Sequence, residues 1–215
     1  MKLKTVLSFL LIILSTIASA QESTAAKNKQ KAEYISIAFT NSHTAMPFAS
    51  FSRLVTGKYH PGFEVSTGFN WKSRPKHDWT QSISFGYSYH RWVQHTLVLY
   101  TEFGYRYRLP GGFSADMNIG GGYMRAIIAT QAFSDGVRKG AQYSKFSSGR
   151  SQAIGTITFG ISKKINSVAG PAFFLQYQQR MQTPFIASYV PVLPYNIMKA
   201  GISISLNNKP EKKPS

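Results

Sequence analysis

Three side chains of this sequence, those of His60, Glu64 and His90, could together bind a transition metal or transfer a proton. Imidazole nitrogens and carboxylate oxygens are ligands for such metals, and both groups act as general acids and bases. They come together only if residues 62–71 and 79–90 form strands that pair symmetrically about the turn between them. His60 would then face His90, with Glu64 one step below on the same face. Alternatively, the histidines only cap a polar rim.

Ionisable residues on the inner face of the predicted strands form a second group. Charges inside a narrow barrel have to be paired, because an unpaired buried charge is strongly disfavoured. If the strands on either side of residues 110–112 pair, Arg106 and Asp116 become neighbours. We predict an interior charge network that acts as a structural plug. The alternative is a proton or ligand path, for which eight strands leave little room. The network consists of Glu64, Glu102, Arg106, Asp116, Arg180 and Lys199, with Arg108 on the same face.

Eight stretches of the chain alternate large apolar with small polar residues, which is the period of a β-strand. In the clearest, Phe63, Val65 and Trp71 share one face, whereas Glu64 and Ser66 lie on the other. The pattern predicts an all-β fold, an eight-stranded antiparallel up-and-down transmembrane barrel over residues 34–206. The predicted strands are 34–40, 62–71, 79–90, 96–109, 113–125, 152–164, 171–181 and 196–206.

Short and long connections alternate between these strands. Outer-membrane barrels have short periplasmic turns and longer external loops, so the alternation predicts that both termini lie in the periplasm. The connection 91–95 falls on the external side and is unexpectedly short. The short turns are 72–78, 110–112 and 165–170, and the long loops are 41–61, 126–151 and 182–195.

A soluble eight-stranded barrel, such as a lipocalin, is the rival fold. Its apolar face would point inward, and its polar face would meet water and be rich in Lys and Glu. The polar face here is mostly Gly, Ser and Thr, which suits the narrow interior of an eight-stranded barrel. Trp71 and Trp79, which we expect to face each other beside the first turn, fit an aromatic girdle at a membrane surface. We therefore expect the apolar face to point outward.

The N-terminus has the pattern of a secretion signal. Lys2 and Lys4 precede an apolar run over residues 6–17, and Ala18-Ser19-Ala20 forms a cleavage site. The run is shorter than the roughly 20 residues of a membrane-spanning helix. We predict a signal peptide over residues 1–20, cleaved near Ala20, a flexible leader over 21–33, and a basic tail over 207–215. The expected destination is the outer membrane.

Composition supports export and argues against nucleic-acid binding. The formal net charge is +17, but the excess Lys and Arg lie in the termini and short turns. Only 15% of residues are charged, against roughly 25% in typical soluble domains. Few charges and 14% aromatic residues suit a wall that meets lipid. We expect a lipid bilayer and no nucleic acid as partners, and no cofactor.

In this architecture the chain resembles the OmpA-, OmpX- and OmpW-like group of small outer-membrane barrels. It also resembles uncharacterised barrel proteins of Bacteroidetes, on the stretches 59–64, 90–95, 183–185 and 189–196. The resemblance implies lipopolysaccharide and the barrel assembly machinery as partners, but carries no assigned activity. Many proteobacterial barrels end on an aromatic residue, whereas this chain continues past Leu206 to Ser215.

Barrel enzymes of this size modify lipid A, and their motifs are incomplete here. Lipid A deacylases use a His-x-Ser motif, which none of His43, His60 and His90 begins. Palmitoyl-transferring barrels place His, Asp and Ser in external loops, and the first loop here offers Ser and His but no acid. We assign no catalytic residue. We expect a non-enzymatic outer-membrane protein with an envelope-structural, adhesion or ligand-contact role. The alternative is an envelope enzyme acting on lipid or glycolipid at the external rim.

Overall fold

The computed structural model describes residues 32–46, 54, 56–90, 94–128, 149–165, 170–184 and 192–206. The chain divides into two units, 1–31 and 32–215, and every described residue belongs to the second. The predicted signal peptide, most of the leader and the basic tail lie outside the described residues. They stay predictions.

Eight strands close into one barrel. Each strand pairs antiparallel with the next along the chain, and β8 pairs with β1, so the sheet has no free edge. The predicted all-β, eight-stranded antiparallel up-and-down barrel is confirmed. The strands are β1 (Tyr34–Thr44), β2 (Pro61–Ser73), β3 (His77–His90), β4 (Gln94–Arg108), β5 (Phe113–Ile128), β6 (Arg150–Lys164), β7 (Ala172–Thr183) and β8 (Leu193–Ser205). We call the end of the barrel with the β2–β3, β4–β5 and β6–β7 connections the turn end, and the opposite end the loop end.

Strand β1 is longer than predicted. The alternation of apolar and polar residues stops at Thr40, because Asn41 and His43 put polar side chains on the outward face. The backbone nevertheless continues to pair with β8, from Asn41 opposite Met198 to Thr44 opposite Tyr195. Ladder hydrogen bonding, which does not depend on side-chain polarity, extends this strand.

The register between β2 and β3 is partly as predicted and partly wrong. From Gly62 opposite Ser88 to Asn70 opposite Thr80, the strands pair symmetrically. A β-bulge then inserts one extra residue, so that Lys72 lies opposite Trp79. The predicted pairing of Trp71 with Trp79 is therefore wrong. The indole Nε1 of Trp71 instead donates to Gln81 Oε1 at 3.0 Å.

The apolar face points outward, as predicted. Phe39 is 71% exposed and Ile119 62% exposed, whereas Ser84 and Thr158 on the inner face are buried. This is the reverse of a soluble barrel and suits a wall in contact with lipid. No helix among the described residues is long and apolar enough to cross a membrane.

Small residues are required on the inner face. A Cβ added to Gly104 would lie 1.7 Å from Asn118 Oδ1, and one added to Gly120 would lie 2.0 Å from the carbonyl oxygen of Thr101. At the turn between β4 and β5, Gly111 and Gly112 have φ angles of 76° and 79°, which favour glycine. This tight turn fixes the register that brings the charges of β4 and β5 together.

Candidate functional site

The centre of the barrel is filled by a polar group of side chains that we call the interior plug. Its members come from five strands: Glu64, Tyr100, Glu102, Thr158, Gln178, Arg180 and Lys199. All seven are buried. Successive residues of a strand point to opposite faces of the sheet, and each of these seven lies on the inner face of its strand.

Glu64 binds two cations within the plug. Lys199 Nζ lies 2.6 Å from Glu64 Oε1, and Arg180 Nη2 lies 3.7 Å from Glu64 Oε2. Lys199 also donates to the hydroxyl of Tyr100. The side chains of Glu64 and Lys199 are 6% and 2% exposed, so water screens their attraction little. The carboxylate therefore satisfies charges that come from β7 and β8.

Glu102 is held by neutral donors. Thr158 Oγ1 donates to Glu102 Oε1 at 2.7 Å, and Gln178 Nε2 donates to the same oxygen at 3.0 Å. Gln178 Oε1 in turn accepts from Arg180 Nη2 at 2.8 Å. Two carboxylates and two cations are thus joined into one hydrogen-bonded network, in which the formal charges cancel.

The Tyr100 ring lies close to both cations of the plug. The Arg180 guanidinium carbon is 5.3 Å from its centroid, and Lys199 Nζ is 5.1 Å away. Both distances are within the range of a cation–π interaction. Towards the loop end, Tyr100 also belongs to a buried apolar cluster with Val98, Met124 and Ile154. The plug is therefore continuous with apolar packing on one side.

A cavity of about 640 Å³ lies on the other side of the plug. It reaches from Glu64, Glu102 and Lys199 to residues at the turn end, such as Lys76 and Pro110. We call it the turn-end cavity. Its walls are mainly serine, threonine and charged side chains, a lining that suits water and small polar ligands.

Two further ion pairs line the turn-end cavity. Arg106 Nε lies 2.6 Å from Asp116 Oδ1, directly across the β4–β5 ladder. Arg108 Nη2 lies 2.8 Å from Asp78 Oδ2. The Arg106 and Arg108 side chains are 29% and 30% exposed, so both pairs are wetter than the pairs of the plug.

The structure places all six residues of the predicted charge network on the inner face, but in two groups. Glu64, Glu102, Arg180 and Lys199 lie in the plug, whereas Arg106 and Asp116 lie in the turn-end cavity. Sequence reasoning missed Asp78, which it placed in a turn although β3 begins at His77. It also left Tyr100, Thr158 and Gln178 out of the network. Their positions in the strands predict that they face inward, but the network was predicted from ionisable side chains alone and these three are neutral.

The histidine group is only partly described. His60 is buried just before β2, and its backbone N–H donates to Asn41 Oδ1 at 2.9 Å. Burial, followed by repulsion from His43 and Lys58, lowers the pKa of His60 below its ordinary value. Glu64 is bound by Lys199 and Arg180, and the side chain of His90 lies outside the described part. Among the side chains that the structure describes, no three His, Asp or Glu are grouped to hold a metal ion.

Comparison with solved structures identifies the architecture. Neisserial surface protein A superimposes with a TM-score of 0.50 and 9% sequence identity, over 83% of this chain and 100% of that one. The chain has the fold of a small eight-stranded outer-membrane barrel. Ail of Yersinia pestis matches with a TM-score of 0.43 and 11% identity, over 82% of this chain and 99% of that one. The outer-membrane enzyme PagL matches with a TM-score of 0.45 and 12% identity, over 80% and 98%. No protein-family model and no curated protein sequence matches the chain.

Proposed function

We propose that this protein is an integral outer-membrane barrel that performs no chemistry itself and serves envelope structure, adhesion or ligand contact. The observation that carries the proposal is the inside-out distribution of side chains. An exposed apolar band surrounds a polar interior, in which Glu64 is paired with two cations and Glu102 is hydrogen-bonded by neutral donors. A folded barrel with such a wall is stable only when lipid covers the wall.

The plug supports a role without catalysis. A general acid or base has to reach a substrate, and a nucleophile needs an activating neighbour. Glu64 is instead bound by Lys199 and Arg180, and Glu102 accepts hydrogen bonds from Thr158 and Gln178. The same network obstructs the lumen, so we expect a protein that acts through its external surface and not as an open pore.

The proposal includes a topology and partners. The turn end faces the periplasm and the loop end faces the outside, because short turns are periplasmic in barrels of this kind. The signal peptide is removed near Ala20, and the barrel assembly machinery inserts the mature chain. Lipopolysaccharide then surrounds the loop end, where Arg125 and Arg150 lie on exposed or partly exposed strand ends.

Protease treatment of intact cells tests this topology. The chain should fractionate with outer membranes, and added trypsin should cut the β5–β6 connection, which contains Arg138, Lys139 and Lys145. As a matched control, an identical protease site is inserted at the β6–β7 turn, residues 165–170, where it should be protected until the outer membrane is permeabilised. Cleavage of the inserted site in intact cells, with protection of the β5–β6 connection, would reverse the topology.

An envelope enzyme acting on lipid or glycolipid at the external rim is the alternative function. The observation that favours it is the buried His60, because its burial lowers the pKa and so favours the neutral imidazole, the form that a general base needs. Envelope lipids decide between the two functions. They are compared in three strains: a deletion strain, the same strain carrying the wild-type protein, and the same strain carrying the double variant His60→Ala/His90→Ala. The non-enzymatic proposal expects three identical lipid profiles, and a lipid change that only the wild type restores would establish the enzyme.

A further inference from the structure

A groove of about 520 Å³ crosses the outward wall of the barrel. It lies between two rows of side chains that follow the ladder pairings from β4 to β7. Ala115 is the small residue of the first row, between Tyr107 and Ile161, and Met117 and Phe159 belong to the second row. Because Ala115 has large neighbours on both sides, the wall is indented there. The volume is within the range of about 300–1,000 Å³ of ligand pockets.

The groove climbs from the turn end towards mid-height. Tyr107, at one end, is the penultimate residue of β4 at the turn end. Met198, at the other end, is near the middle of β8. A row of paired residues climbs in this way because strands in such barrels are tilted by roughly 35–45°. A lipid acyl chain, whose headgroup stays at the membrane surface, follows the same path from surface to bilayer centre.

One lysine lies beside the turn-end part of the groove. Lys163 is on the outward face of β6, between Phe113 and Phe173 in the ladders, and its Nζ is 4.8 Å from the Phe113 ring centroid. The ammonium of Lys163 forms no ion pair with a residue that the structure describes. An apolar groove with a cation beside it is complementary to an anionic amphiphile.

We propose that the groove binds one acyl chain of an anionic phospholipid of the periplasmic leaflet, whose phosphate is held by Lys163. The proposal rests on the membrane location and topology proposed above. A second copy of the chain is a poorer occupant. A two-fold contact across this face would bring the Lys163 side chains of the two copies together, and like charges in contact repel.

Native mass spectrometry of the refolded full-length mature barrel tests the site, with one lipid added at a time. The three lipids are dioleoyl phosphatidylglycerol, the zwitterionic dioleoyl phosphatidylethanolamine, and lipid A. We expect phosphatidylglycerol to bind most tightly, with one molecule per barrel. Lys163→Gln should weaken it by about 5-fold, which is about 1 kcal/mol for one lysine at an anionic lipid surface.

Ala115→Trp, which fills the indentation, should also abolish tight binding. The matched control is Gly155→Trp, because Gly155 also faces outward, away from the groove, and an added Cβ there meets nothing within 4 Å. This control should leave lipid binding unchanged. Heat-modifiable migration and insertion into vesicles are measured for every variant, so a barrel that fails to insert is recognised as a failure of the proposed membrane function and not of the lipid site.

Three results would overturn the proposal while the barrel still inserts normally. One is equal binding of phosphatidylglycerol and phosphatidylethanolamine. Another is tighter binding of lipid A that Lys163→Gln reduces. The third is a lipid-independent dimer, or a complex with another protein, that Ala115→Trp disrupts.

Discussion

Replacing Glu64 by alanine should destabilise the barrel more than any other single change to an interior charge. The change removes the carboxylate that Lys199 Nζ approaches to 2.6 Å and Arg180 Nη2 to 3.7 Å. The Lys199 and Arg180 side chains are only 2% and 6% exposed, so solvent screens little of the attraction that is lost. Removing one partner of a buried pair costs about 3–5 kcal/mol, and we expect a loss in this range.

Two further variants separate the charge effect from packing. In Glu64→Leu/Lys199→Met, apolar side chains of similar volume replace the pair, a change that is often neutral or stabilising in buried sites. This double variant should recover part of the free energy that Glu64→Ala loses, because Lys199 no longer leaves an unpaired charge whereas Arg180 still lacks its carboxylate. Ser66→Ala is the mild control, because Ser66 is the next inward residue of β2 and its hydroxyl makes one 2.9 Å bond to Ser84 Oγ. Its loss should be about 0.5–1.5 kcal/mol.

The assay is urea unfolding of barrels refolded into phospholipid vesicles, followed by the fluorescence of the three tryptophans. Linear extrapolation gives the free energy of unfolding in water for each variant. If Glu64→Ala loses no more than Ser66→Ala, the ion pairs of the plug do not stabilise the fold and the reasoning is refuted.

Three further predictions follow from the same contacts. Asp116→Ala should lower the free energy of unfolding by less than Glu64→Ala does, because the Arg106 side chain is 29% exposed. The loss should lie between about 1 kcal/mol, as for an exposed pair, and about 3–5 kcal/mol, as for a buried one. Equal losses for the two variants in the urea assay would count against this ranking. Phe85→Arg and Phe159→Arg should each cost about 2–4 kcal/mol near the bilayer midplane, and normal refolding into bilayers would show that the outward face is not lipid-exposed. The unfolding midpoint should not rise with Zn²⁺, since only a ligand that prefers the folded state stabilises it; a rise that His60→Ala/His90→Ala abolishes would establish a metal site.

The faces of the strands could be predicted because they depend on local alternation. Each residue's parity within its strand places it inside or outside, and Phe85, Phe159 and Ser84 lie where the pattern puts them. The Arg106–Asp116 pair was predictable for a related reason, since a short turn fixes the register of the two strands it joins.

Contacts between distant strands could not be predicted in the same way. Glu64 and Lys199 belong to β2 and β8, which are separated by β1, and their heights in the barrel depend on the combined registers of three strands. A single bulge changes such a register, as the pairing of Lys72 with Trp79 shows. The neutral members of the plug, such as Gln178, acquire their role only from this three-dimensional arrangement.

Site-directed spin labelling in lipid bilayers tests the central claim most directly. The chain has no cysteine, so single cysteines at Phe85, Phe159, Ser66 and Ser84 can be labelled without altering other residues. Labels at Phe85 and Phe159 should be highly accessible to molecular oxygen, which concentrates in lipid, and poorly accessible to a polar nickel chelate. Labels at Ser66 and Ser84 should be shielded from oxygen. Lipid exposure at the two serine positions, with shielding at the two phenylalanine positions, would contradict an outer-membrane barrel with a plugged polar interior.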